Sequence, residues 1–314
     1  MLLINLRSFP TMHLQKLFVF SLLVIISVFF GQPCAQAQSS SSVQSAVPPE
    51  YFVPDGTKQV EDANNCMTNS PELCRPAAAK GLGDAEFALG WFYEHGKGIT
   101  KDDRQAAAYY LAAAKLGHAQ AENNLGALYE SGQGVSKSLK DAARWYRAAA
   151  EQGDPVAQCN LASLLFAGHG VRRDYAQAAK WLRESAEQNY AYGQLLLFAM
   201  YYRGYGVAVN FSEAVKWARR AADQGNARAE AALGFLYEQG KGVPLDYVTA
   251  YKWYSLAEQA GDKEGEARIK NLLQLMTRRQ ISQAEAILAA QGKQQVGLTP
   301  DNKESLTNSF AQIH

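Results

Sequence analysis

The chain has 314 residues, with 31 Lys and Arg against 30 Asp and Glu, 47% hydrophobic and 19% charged. That mixture suits a folded chain with a continuous core and excludes a disordered one. A net charge near zero leaves no basic stripe to neutralise a phosphate backbone, which excludes nucleic acid as a partner.

Residues 1–37 read as an export signal peptide. Lys16 precedes the apolar run from Leu17 to Phe30, and Ala35-Gln36-Ala37 offers small residues where a signal peptidase cleaves. The run is shorter than the roughly 20 residues of a bilayer span, so no membrane span is expected after cleavage. Loss of Arg7 and Lys16 would leave 29 basic against 30 acidic residues. The expected location is periplasmic or secreted. Residues 38–58, polar and Pro-bearing, read as a flexible linker. In residues 59–80, Ser70-Pro71-Glu72 and the alanines at 77–79 suggest a partial helical cap.

From there the sequence repeats itself. Gly96-Lys97-Gly98 becomes Gly132-Gln133-Gly134, then Gly168-His169-Gly170, Gly204-Tyr205-Gly206 and Gly240-Lys241-Gly242, always 36 residues on. Leu89, Leu125, Leu161, Leu197 and Leu233 keep the same register, as do Ala106, Ala142, Ala178, Ala214 and Ala250. A fixed period of this length means stacked supersecondary units. Each unit divides into two helices. Helix A, about 84 to 95 in the first unit, ends at the glycine pair, where Gly permits positive φ. Helix B starts after Asp102, Ser138, Asp174, Asn210 or Asp246, all good N-caps. It ends at Gly117, Gly153, Asn189, Gly225 or Gly261. The aromatic column Tyr109, Trp145, Trp181, Trp217 and Trp253, set among alanines, is expected to be core.

The motif A-x-x-x-L-G-x-L-Y-E-x-G-x-G-V, followed by D-x-x-x-A-x-x-W-Y-x-x-A-A-x-x-G, resembles the Sel-1-like repeat (SLR) family, relatives of the tetratricopeptide repeats. Five units match, over 81–260. The resemblance implies an all-α fold, a right-handed α/α superhelix or solenoid of antiparallel helix pairs. It also implies a scaffold for protein–protein contacts whose A helices line a concave groove. On that analogy the partner-binding residues are Trp91, Asn124, Asn160, Tyr192, Leu196, Arg203 and Phe235, and the partner is another protein or an extended peptide segment. The fourth unit, with Tyr190, Tyr192, Tyr201, Tyr202 and Tyr205 beside Arg203, has the composition of a binding hot spot. Export makes a Cys66–Cys74 disulfide plausible, and exported members of the family often carry pairs with this interval. Cys159 is expected to be a free, buried or half-buried thiol.

Residues 261–290 are expected to form C-terminal capping helices, one over Ala267–Met276 and one beginning at Thr277, where Gln280 completes a capping box. Residues 291–314 read as a disordered tail. No metal, cofactor or catalytic residue is expected. His95, His118, His169 and His314 lack partners at ligand spacing, and no nucleophile or phosphate-loop motif is present. The GxG loops are accounted for by helix termination. Glu94, Glu130 and Glu238 share one register position in different repeats, as in a solvated or structural column. The alternative to a scaffold is a cell-envelope hydrolase acting on β-lactams or peptidoglycan-like substrates, as the resemblance suggests for some exported members.

Overall fold

The computed structural model describes residues 70–296, with side chains through Ala290. Among these residues there are thirteen α-helices and no strand. The expected signal peptide, linker and Cys66 lie outside the described residues. No described helix is long and apolar enough to cross a membrane.

Two compact units divide after Asn210. The first holds α1 (Pro71–Ala78), α2 (Gly83–His95), α3 (Asp103–Lys115), α4 (Ala119–Ser131), α5 (Leu139–Glu151), α6 (Pro155–Ala167), α7 (Tyr175–Glu187) and α8 (Ala191–Arg203). Each helix packs on the next along the chain. The second holds α9 (Phe211–Ala222), α10 (Ala227–Gln239), α11 (Tyr247–Gln259), α12 (Lys263–Leu272) and α13 (Arg278–Val296). There α11 receives α10, α12 and α13.

The helix ends follow from the residues that mark them. Asp102, Ser138, Asp174 and Asp246 each accept a backbone N–H from the first turn of the helix that follows, satisfying donors that would otherwise be orphaned. Asn189, at φ 64°, is the one non-glycine residue with positive φ among those described. It stands where the other units carry Gly. Thr277 and Gln280 form the reciprocal capping box: Gln280 N donates to Thr277 Oγ1 at 3.3 Å and Thr277 N to Gln280 Oε1 at 2.9 Å. The first capping helix runs over Lys263–Leu272, earlier than expected, because Asp262 caps it at Glu264 N and Gly265 N. The second extends past 290 to Val296.

Helix termination explains only half of the GxG loop. Gly132 closes α4 in the left-handed region. Gly134 does something else: a Cβ there would fall 2.0 Å from the carbonyl oxygen of Asp103, at the start of the preceding helix B. The second glycine is required by close contact between successive repeats.

The expected core columns of leucine and alanine are buried throughout. The aromatic column departs from expectation. Trp217 and Trp253 are buried, but Tyr109, Trp145 and Trp181 are only half-buried. The most deeply buried ring in three units is one residue further on, at Tyr110, Tyr146 and Tyr254. Cys159 also departs from expectation, since Cys74 and Cys159 are both buried and neither is a free thiol. A free thiol at 159 is therefore corrected.

Candidate interaction surface

Tyr110, Tyr146 and Tyr254 show how the A and B helices of a repeat are locked. Each hydroxyl donates to a glutamate near the end of the preceding helix A: Tyr110 to Glu94 at 2.6 Å, Tyr146 to Glu130 at 2.7 Å and Tyr254 to Glu238 at 2.6 Å. Burial and the adjacent carboxylate push each phenol well above its usual range. The rings lie against Gly90, Gly126 and Gly234, where a Cβ would come within 2.5, 2.7 and 2.6 Å. Where the tyrosine is absent, so are the glycine and the glutamate. The third unit has Ala162, Phe166 and Leu182, and the fourth has Phe198, Tyr202 and Ala218. These three columns change together because they fill one space. The glutamates that a hydrolase would draw on are thus committed to tyrosine hydroxyls.

A second rung links helix A to the end of helix B. Gln152 Nε2 donates to Glu122 Oε2 at 2.7 Å and Gln188 Nε2 to Gln158 Oε1 at 2.9 Å. The equivalents of Gln152 in the first and fifth units are Leu116 and Ala260. There Glu86 Oε2 and Glu230 Oε2 are buried without a hydrogen bond. Burial, with a smaller contribution from Asp262, pushes the Glu230 carboxyl up to about 7. A carboxyl whose folded pKa exceeds its unfolded value binds more protons when folded. Its contribution therefore falls as pH rises from the ordinary glutamate range through about 7. Ala260→Gln is expected to supply the missing donor and to shrink the loss of melting temperature between about pH 5 and about pH 8. Unfolding curves of the two proteins at both pH values check this, and an unchanged difference would reject the rung.

The A-helix face expected to meet a partner is partly exposed on α2, α4 and α10 and closed along most of α6 and α8. Trp91 is half-buried, stacked on His95 at 4.4 Å with Lys97 Nζ 4.8 Å from its ring centroid. Asn124 is half-buried and accepts from Asn123 Nδ2 at 3.3 Å. Arg203 is half-buried, its guanidinium 5.5 Å from the Tyr202 ring. Asn160, Tyr192, Leu196 and Phe235, expected at a partner interface, are buried, with exposures of 2, 2, 0 and 8%. Asn160 Nδ2 donates to Asn123 Oδ1 at 2.9 Å. Residues 157–165 of α6 and 192–200 of α8 are buried on every side, with Gln158, Asn160 and Ser163 among the buried residues of α6. Those four residues are thus corrected from exposed contacts to packed positions. Tyr190 and Tyr202 are buried as well, leaving Tyr201 and Tyr205 half-buried.

His118 has a structural explanation. Its Nδ1 accepts from Ala121 N at 3.2 Å while Nε2 meets Asp84 Oδ1 at 3.3 Å, which makes it an N-cap with its proton on Nε2. The same contact holds the Asp84 carboxyl below its usual range. Among the described residues no group of three or more His, Cys, Asp or Glu is placed to hold a metal ion.

The pattern of the Sel1 repeat matches residues 83–118, 119–154, 155–190, 191–226 and 227–262. No curated protein matches the chain. Among solved structures, a protective antigen of uropathogenic Escherichia coli displaying an SLR fold is 32% identical with a TM-score of 0.64, covering 72% of this chain and 49% of its own. This chain therefore spans about half the length of that antigen. A Sel1 repeat protein from Oxalobacter formigenes is 26% identical with a TM-score of 0.65, covering 74% of this chain and 96% of its own. Sel1 repeat proteins are in general scaffolds for protein–protein contacts. The matched segments share the period, the two-glycine loop and the capped helix pair described above, and the chain belongs to the Sel1 repeat family.

Proposed function

We propose that the chain is an exported scaffold that binds another protein through the outward face of its A helices. The observation that carries the reading is the cluster of half-buried Trp91 with exposed His95 and Lys97 at and just past the end of α2, together with half-buried Asn124 on α4. A partly exposed tryptophan with a cation over its face is the kind of anchor that dominates protein interfaces. Export is supported by Lys16, the apolar run to Phe30 and Ala35-Gln36-Ala37, and by Cys74 and Cys159, neither of which is a free thiol, since disulfides persist in oxidising compartments.

A photoreactive amino acid placed at Trp91 or Asn124 in cells of the source organism tests the reading. A discrete adduct in the envelope or secreted fraction is expected from these positions and not from Lys140, at the exposed start of α5. No adduct, or the same adduct from Lys140, would overturn it.

A further inference from the structure

A third rung recurs between neighbouring repeats, and it is broken once. Arg183 on α7 donates to the hydroxyl of Tyr201 on α8, with its guanidinium 5.8 Å from the ring centroid. Arg219 on α9 donates to Tyr237 on α10 at 2.6 Å, 5.9 Å from that ring. Each tyrosine lies 18 residues after its arginine. The same step from Arg147 on α5 arrives at Leu165 on α6, although the column otherwise reads Tyr93, Tyr129, Tyr201 and Tyr237. Arg147 keeps the position and has lost the acceptor.

An open depression of about 800 Å³ lies there, lined by Arg147, Leu165, Arg172, Arg173 and Tyr175 among others. Arg172 and Arg173 are exposed and stand where the first two units have Thr100-Lys101 and Ser136-Lys137. Among the described residues none of the three arginines makes an ion pair. The one carboxylate in the lining, Asp174, is engaged as the N-cap of α7, accepting from Gln177 N at 3.0 Å and Gln177 Nε2 at 3.1 Å. The Arg173 guanidinium lies 5.6 Å from the Tyr175 ring, which also packs against Phe166 and Tyr205. The result is three cationic forks above an apolar and aromatic floor.

We infer that this depression docks an acidic segment of a partner protein, with Asp or Glu carboxylates received by Arg147, Arg172 and Arg173. Guanidinium matches carboxylate in paired hydrogen bonds, while Leu165 and Tyr175 suit the apolar parts of a peptide. The cluster is local in a chain with almost no net charge, so it cannot follow a nucleic-acid backbone. The inference rests on the scaffold reading and names a partner chemistry for it, at a place separate from Trp91 and Asn124.

The test is fluorescence anisotropy of a labelled peptide of alternating Glu and Gly, titrated with the full chain. Inorganic polyphosphate and a DNA duplex serve as competing probes. Saturable, salt-sensitive binding is expected, weakened about tenfold or more by the combined substitutions Arg147→Gln, Arg172→Gln and Arg173→Gln at an unchanged melting temperature. Leu165→Tyr, which restores the acceptor for Arg147, should also weaken binding. No peptide binding, equal binding by the triple variant, or preference for polyphosphate or DNA would overturn the inference. Any of these would leave the crosslinking test of the scaffold reading to stand or fall separately.

Discussion

Trp217→Ala is expected to destabilise the 211–296 unit by about 3–5 kcal/mol, the range for truncating a buried large aromatic. The ring is 4% exposed. Its Nε1 donates to Glu213 Oε2 at 3.1 Å, and Lys216 Nζ and the Arg220 guanidinium lie 5.1 and 5.0 Å from the ring. Truncation would remove the packing, leave Glu213 without its indole donor and uncover the stems of two cations. Urea unfolding followed by circular dichroism measures the change. A midpoint near that of the unsubstituted chain would mean that this aromatic does not hold α9 in place.

The second large effect concerns the space shared by Gly126 and Tyr146. Gly126→Ala puts a methyl group 2.7 Å from the Tyr146 ring, which must shift, and should destabilise the chain by about 1–3 kcal/mol. Tyr146→Leu removes a fully buried ring and the donor to Glu130, with a loss of similar size. The double substitution reproduces Ala162 and Leu182 of the third repeat and should destabilise less than the two changes added together. A double-mutant cycle reads this coupling directly. Additive losses would show that the covarying columns do not share one space.

The repeat, its helix boundaries and its caps were legible because they rest on local chemistry. An N-cap aspartate, a glycine at a helix end and the left-handed Asn189 each act within a few residues of chain. Choosing between adjacent aromatics was harder, because neighbouring helix positions point about 100° apart and both columns alternate with alanine. The signal for the right one was present in the chain itself: Gly90, Gly126 and Gly234 occur only in the units that have Tyr110, Tyr146 and Tyr254.

The expectation for partner-facing residues rests on an analogy that treats all five A helices alike. Asn160, Tyr192 and Leu196 lie in helix stretches buried on every side, which on α8 the apolar run from Leu195 to Met200 already indicates. Arg147 carries no signal of its own, because an arginine in register with Arg183 and Arg219 looks like part of the pattern. Its difference lies 18 residues away, at Leu165. A repeat spends most of its residues on stacking, so specific function is best sought where one unit departs from the others.

Hydrogen exchange of the folded chain with and without the acidic peptide tests that claim most directly. The account predicts new protection around Arg147 and across 171–177, with the four other glycine loops unchanged. Protection spread evenly over all five loops, or confined to repeats that keep their rungs, would contradict it.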